Sequence, residues 1–290
     1  MNLTKGILLA GGYGSRLFPI TQAISKHLLP VYNKPMIYYP LSNLIQAGIT
    51  STLIIAKDED LKAYQKLLGN GEKFGIDIQY KVQPKPSGLP EAFILGEGFI
   101  DDDPIALNLG DHIFFGQDLD KELIKITNNF NTSTILSVRT DNPEESGVIL
   151  FNDEDEPQEI IEKPKKFISD WIVCGLYFFH NSVVKVAKNL EPSLRNETEI
   201  VDLINYYLST NSLDAIKFES NIRWIDAGTP QRLLMAGNII KELEETSGLM
   251  IGYLEYEALK RGLISEADYF KRIDELKNSN YGGTLKNLVS

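Results

Sequence analysis

Leu8-Leu9-Ala10-Gly11-Gly12-Tyr13-Gly14-Ser15-Arg16-Leu17-Phe18-Pro19 runs a short apolar segment straight into a glycine-rich turn, and Ser25-Lys26-His27-Leu28-Leu29-Pro30 follows closely. An apolar run of this length bounded by glycines reads as a buried strand. Glycine has no Cβ, so the backbone N–H groups of such a turn can come close to a phosphate. Two familiar phosphate loops are excluded letter by letter. A dinucleotide fingerprint needs a third glycine where the chain has Leu17, and a P-loop needs Gly-Lys-Ser/Thr where it has Gly14-Ser15-Arg16. What remains is a glycine turn followed by two cations, Arg16 and Lys26.

Downstream, apolar runs alternate with segments of helical period: Lys5 to Ala10, Met36 to Ala47, Thr52 to Ala56, Leu61 to Leu68, Ile76 to Val82, a helix-like Gly88 to Phe99, and Pro104 to Leu109. This alternation predicts an α/β fold, a Rossmann-like and mainly parallel sheet flanked by helices, with ligands at the carboxyl ends of strands. Gly11 and Asp111 both fall at such ends. From about residue 132 the strand signals crowd together, at Thr134 to Val138, Gly147 to Phe151, Glu159 to Glu162 and Trp171 to Phe179, which predicts a mixed extension of the same sheet. Helical spacing returns at Gln231 to Glu245 and Glu266 to Leu276. The expected organisation is a core over 1–228, with a first half of about 1–131 and a second of about 132–228, and a helical C-terminal appendage over 229–290.

The chain has 290 residues, enough for a core that buries roughly 75% of the unfolded surface. Its composition, 43% hydrophobic and 24% charged, is that of an ordinary globular enzyme, with no apolar stretch near the ~20 residues a membrane helix needs. The short apolar run after Lys5 lacks the length of a secretory signal. The single Cys174 cannot form an intrachain disulfide, which suits a reducing cytoplasm; its apolar strand predicts a buried thiol rather than a nucleophile. A net charge of −11 argues against a nucleic-acid partner. Phosphate-bearing ligands must therefore meet a local basic cluster, for which Arg16, Lys26, Lys163 and Arg195 are the candidates.

Glycine loop, Arg16 and Lys26 together resemble the signature of the sugar-nucleotide pyrophosphorylases. Within them, Ser25-Lys26-His27-Leu28-Leu29-Pro30-Val31-Tyr32-Asn33-Lys34-Pro35-Met36-Ile37-Tyr38-Tyr39-Pro40-Leu41 is similar to the glucose-1-phosphate thymidylyltransferase family, and the resemblance runs nearly end to end. It implies transfer of dTMP from dTTP to a hexose 1-phosphate, with Mg²⁺, in a homotetramer carrying a second, regulatory site for a dTDP-sugar. Such chemistry asks for positioning and charge stabilisation more than for a general base, because a sugar phosphate is already ionised.

The resemblance places Leu9, Gly11, Gly12, Gly14, Ser15, Gln83, Gly88 and Asp111 on the nucleotide. Gln83, in Val82-Gln83-Pro84, offers a donor and an acceptor to a pyrimidine edge. Arg16, Lys26 and Lys163 take catalytic roles on the phosphates. Asp111, at the end of Leu107-Asn108-Leu109-Gly110-Asp111, and Asp226, in Trp224-Ile225-Asp226-Ala227-Gly228-Thr229, are the carboxylates that can share Mg²⁺. Asp101, Asp102 and Asp103 precede a strand and read as a solvated turn. The sugar phosphate falls to His112, Gly147, Glu162, Lys163, Val173, Arg195 and Glu197. The family's Gly-Asp-Asn is here Gly110-Asp111-His112, its Tyr-Gly is Ser146-Gly147, and Asn196 replaces the glycine of its Arg-Gly-Glu. These departures keep another hexose or aminohexose 1-phosphate open as acceptor. Uridylyl transfer and a catalytically silent sugar-nucleotide sensor remain the alternatives.

Overall fold

The computed structural model describes residues 2–194, 196–219 and 221–289. In chain order its strands are β1 (Lys5–Ala10), the two-residue pair β2 (Pro30–Val31) and β3 (Lys34–Pro35), β4 (Ser51–Ala56), β5 (Asp77–Val82), β6 (Ile105–Leu109), β7 (His112–Gly116), β8 (Ser133–Arg139), β9 (Gly147–Phe151), β10 (Pro157–Glu162), β11 (Trp171–Phe179), β12 (Leu213–Lys217) and β13 (Ile222–Asp226). Nine of them form one sheet. Its parallel part has the order β5-β4-β1-β6, with Leu8 of β1 in register with Ile54 on one side and Asn108 on the other. The chain winds outward from β1 to β5 and then returns to the other flank of β1. The carboxyl ends of β1 and β6 therefore border the topological switch point, where open α/β sheets bind ligands.

Beyond β6 the sheet turns mixed, as expected. β11 runs antiparallel to β6 through Leu176–Phe179 and pairs along its other edge with β8, while β9 meets it at Ile172 and carries β10. β12 lies parallel to β8. A single hydrogen-bonded sheet thus spans both predicted halves.

Alternate residues of the central strands feed two apolar layers. Leu8, Ala10, Ile54 and Ala106 face a layer shared with helices Tyr38–Gln46, Asp58–Leu68, Leu119–Asn128 and Leu254–Lys260. Ile7, Leu9, Ile55 and Leu107 face the helices Glu91–Leu95, Val183–Lys188 and Ile200–Ser209. Each of these leucines and isoleucines contributes about 1.5–3 kcal/mol by leaving water. Cys174 is a buried, free thiol in the first of these layers, as predicted, and burial pushes its pKa up.

Local signals account for many helix ends. Asp58, Glu59 and Asp60 open one helix where its dipole favours negative charge, and Gly69, at φ 66°, ends it. A reciprocal Ser265–Asp268 capping box starts the helix Glu266–Glu275. The helix-like reading of Gly88 to Phe99 needs correction. Gly88 sits at φ 118° outside any helix, and Gly96 separates Glu91–Leu95 from Glu97–Ile100. A Cβ at Gly96 would come within 2.8 Å of the Ile7 side chain and 3.0 Å of the Ala92 carbonyl, so glycine lets this turn pack close to the sheet.

The tail beyond residue 228 is helical, and it is built into the core rather than hung on it. Leu254 and Ala258 enter the first apolar layer, and Ala236, Ile240 and Ile251 pack with Val31, Met36 and Tyr39. Lys34 belongs to the same junction. Its fully buried ammonium lies 2.9 Å from Glu244 and 3.8 Å from the centre of the Tyr253 ring. Burial lowers its pKa to about 8 against the opposing pull of Glu244. It is a tie between the β2–β3 hairpin and the tail.

Candidate active site

Backbone geometry sets the glycine loop. Gly14, at φ 64°, leads into a short 3₁₀ turn over Ser15–Leu17, and buried Thr21 donates to the Gly14 carbonyl at 2.7 Å. Ser15 and Arg16 are left exposed at the mouth. Gly12 leaves open the approach to Lys26, whose ammonium would lie 3.7 Å from a Cβ there. Lys26 itself donates to Asp111 at 2.5 Å. Burial alone would push the Asp111 carboxyl up. The Lys26 ammonium and its hydrogen bond, with the adjacent imidazoles, outweigh that and hold it ionised, well below the usual carboxylate range.

A second, two-stranded sheet brings the distant aspartate in. β13 pairs antiparallel with β7 so that Asp226 stands opposite His112, next to Asp111. Ligand-capable atoms of Asp111, His112 and Asp226 lie within 4.8 Å of one another. His112 is the unsuitable member for a cation. Its Nδ1 accepts from the Gly175 N–H and from Trp224 Nε1, both at 3.0 Å, so the other ring nitrogen carries the hydrogen. Burial keeps the ring neutral by lowering its pKa. The two carboxylates alone make an oxygen donor pair of the kind that suits a hard divalent cation.

Arg16 reaches to 3.7 Å from Asp226, which also pairs with Arg232 at 3.2 Å. All these charges crowd one small residue. A Cβ on Gly228 would lie 2.4 Å from Arg16 Nη2, 2.7 Å from Asp226 Oδ1 and 3.0 Å from Asp111 Oδ2.

Beside this cluster is a cavity of about 190 Å³ lined by Leu9, Gly12, Lys26, His27, Gln83, Pro86, Gly88, Leu89, Leu109, Asp111 and Glu197. Gln83 is 4% exposed. Gly11 has to be glycine here, because a Cβ would sit 1.8 Å from Gln83 Oε1. His27 forms the floor, with its Nδ1 near Ser25 Oγ and Tyr64 OH, both at 3.2 Å. Burial, reinforced by the Lys26 ammonium, lowers its pKa to about 3.

Gly147 and Glu162 are paired across β9 and β10, and a Cβ on Gly147 would be 3.7 Å from both Glu162 Oε2 and Val173 Cγ2. Three residues expected on the sugar are thereby brought together. Glu197 joins the Gln83 cavity instead, because Thr198 bridges to Gly88 and carries the segment there. Asn196 adopts φ 57°, the left-handed backbone that asparagine tolerates in place of glycine. Arg195 lies outside the described residues. Lys163 is exposed, and its ammonium pairs with Glu162 at 3.4 Å rather than with Asp111 or Asp226. Asp101, Asp102 and Asp103 form an exposed turn, with Asp103 held by Lys5 at 2.7 Å.

Two residues went unnoticed in the sequence. Arg232, at the start of the helix Pro230–Thr246, links Asp226 to Glu145. Glu91 accepts from Gln83 Nε2 at 2.7 Å and from the Ser87 N–H at 3.2 Å. Neither lies in a motif; the one available signal was a charged residue within a few positions of a site residue.

Fold and charge cluster have counterparts among known proteins. Residues 5–242 match the family model described as nucleotidyl transferase. A glucose-1-phosphate thymidylyltransferase of Neisseria gonorrhoeae is 44% identical over 98% of this chain and 99% of that protein. One from Mycolicibacterium smegmatis is 39% identical over 98% and 99%. A solved Bacillus anthracis protein assigned as a glucose-1-phosphate thymidylyltransferase, in complex with sucrose, superposes with a TM-score of 0.75 at 38% identity, covering 81% of this chain and 94% of that one. A UDP-glucose pyrophosphorylase bound to UDP-glucose, at 22% identity and a TM-score of 0.74, shares the fold. The chain belongs to the nucleotidyl transferase family, and within it to the glucose-1-phosphate thymidylyltransferases.

Proposed function

We propose that the protein transfers dTMP from dTTP to glucose 1-phosphate, giving dTDP-glucose and pyrophosphate. The observation that carries this reading is the crowding of Arg16, Asp111 and Asp226 around Gly228, with Lys26 held on Asp111, at the carboxyl ends of β1 and β6 and beside the Gln83 cavity. A sensor that only bound sugar nucleotides would have no need of that cluster.

In the proposed reaction the sugar phosphate oxygen forms a bond to the α-phosphorus while the bond to pyrophosphate breaks in line. The residues act by placement. Leu9, Gly11, Gly12, Gly14, Ser15 and Gly88 give the triphosphate and base a close backbone surface, and Gln83 meets the pyrimidine edge. Lys26, held by Asp111, and Arg16, placed beside Asp226, carry positive charge to the phosphates, and such positioned groups are each worth about 2.7–4 kcal/mol where they have been removed from active sites. Asp111 and Asp226 would hold Mg²⁺, which supplies charge neutralisation at the phosphate oxygens when bound. Gly147, Glu162 and Val173 receive the hexose with His112 and Glu197, and Lys163 and Arg195 serve the sugar phosphate. In this reading the nucleotide half (1–131), the sugar half (132–228) and the tail (229–290) divide the work. The resemblance further supports a cytoplasmic homotetramer with a regulatory dTDP-sugar site.

The test is Mg²⁺-dependent pyrophosphate release from dTTP and glucose 1-phosphate, run beside UTP and a panel of hexose 1-phosphates. Nucleotide binding without pyrophosphate release under any divalent cation refutes the reading. A tenfold or greater preference for UTP would move it to uridylyl transfer, a difference that one methyl group can account for.

A further inference from the structure

We propose that Glu91 is a positioning residue that selects the base by fixing which end of the Gln83 carboxamide faces the cavity. A glutamine side chain turns about its last torsion at little cost, and half a turn exchanges a hydrogen-bond acceptor for a donor. Here that freedom is removed. The Gln83 nitrogen donates to Glu91 Oε2 at 2.7 Å, and the same oxygen accepts the Ser87 N–H at 3.2 Å, which fixes the carboxylate in turn. A carboxylate accepts and does not donate, so the nitrogen must face Glu91 and the oxygen must face away. The oxygen is directed at Gly11, between Leu9 and Gly12, which line the cavity together with Gln83 itself. Gln83 is too deeply buried for water to compensate a mismatched partner.

An acceptor fixed in this place complements a pyrimidine whose N3 carries a hydrogen, as in thymine and uracil. Cytosine presents a lone pair there and would leave both groups unpaired. The inference rests on the thymidylyl reading of the site and adds a cause for its base preference.

The experiment measures discrimination between dTTP and dCTP, by kcat/KM and by equilibrium binding, in wild type, Glu91→Ala and Glu91→Gln. Wild type should favour dTTP by about 100-fold or more. Glu91→Ala frees the carboxamide and should lower that ratio by about tenfold or more. Glu91→Gln keeps an oxygen able to accept from both Gln83 and Ser87, and should hold the ratio within about threefold of wild type. A purely structural role for Glu91 would weaken both nucleotides together and leave the ratio unchanged. That result in folded Glu91→Ala overturns the inference, as does an equal loss of discrimination in Glu91→Gln. Wild type also provides a test that needs no variant. It should reject 3-methyl-dTTP, which lacks the N3 hydrogen, and acceptance overturns the inference. Absence of turnover in wild type would refute the transfer reaction alone, since the preference is still read by binding.

Discussion

Replacing Gly228 by alanine adds one methyl group at the point where the charges meet. Ordinary contact for a Cβ begins near 3.4 Å, while the new atom would stand 2.4 Å from Arg16 Nη2, 2.7 Å from Asp226 Oδ1 and 3.0 Å from Asp111 Oδ2. The guanidinium must therefore retreat by about 1 Å and the carboxylates by somewhat less. The fold should bear this easily. Gly228 is outside the left-handed backbone region, Arg16 is an exposed side chain that can swing outward, and the main stake is the 2.8 Å hydrogen bond from the Gly228 N–H to Asp226, worth about 1 kcal/mol. Catalysis should not bear it. A misplacement of about 1 Å in a positioned site costs on the order of 10²-fold, or about 2.7 kcal/mol of barrier. Pyrophosphate release at saturating Mg²⁺, dTTP and glucose 1-phosphate should show kcat down about 100-fold with a melting temperature close to wild type. Gly283→Ala, which meets nothing within 4 Å, is the control and should keep full activity. A folded Gly228→Ala enzyme with kcat within about threefold of wild type would refute the argument that Arg16, Asp111 and Asp226 act from fixed positions.

Lys26→Met should lower kcat by about 10² to 10³-fold, with a smaller effect on dTTP binding measured by calorimetry. Gly11→Ala drives a methyl group into Gln83 Oε1 and should raise the KM for dTTP at least about tenfold, read from initial rates. His27 gives a pH dependence whose sign follows from its lowered pKa: the unfolded chain takes up a proton near pH 6.5, whereas the folded chain resists until about 3. Its contribution is thus complete above pH 6.5 and declines as pH falls toward 3, by about 2 kcal/mol at pH 5, and urea melts at pH 7.5 and 5 should show a shallower loss in His27→Gln. Lys34→Met strands Glu244 in a buried site and should destabilise by about 3–5 kcal/mol, with much of the loss recovered in Lys34→Met/Glu244→Leu, measured by denaturant unfolding.

The parallel half of the sheet was legible because its signals are local. β1, β4, β5 and β6 are apolar runs punctuated by glycine or polar turns, and they fell within a residue or so of their expected limits. Asp111 could be placed at a strand end for the same reason. What brings Asp226 to it was not legible, since β7 and β13 are paired across more than 100 residues and register at that range leaves no periodic trace. Glu91 and Arg232 escaped for a related cause: their part depends on where a side chain turns after the helix has docked. The tail was read as an appendage because its helices have their own amphipathic pattern. That pattern does not say which surface covers the apolar stripe, and here the surface is the main core. Asn196 illustrates the reverse case, a departure from the family pattern whose backbone angle explains why it is tolerated.

β11 joins β6, which lies beside the strand leading into the glycine loop, to β8 and to β9, which carries Gly147. A clamshell motion of one half against the other would have to tear that ladder, so under the proposed reaction substrates would enter and products leave at the exposed rim around Tyr13, Arg16 and Phe18. Damage to β11 should for that reason impair both substrates in parallel, whereas damage to the rim should alter the traffic and leave the chamber intact.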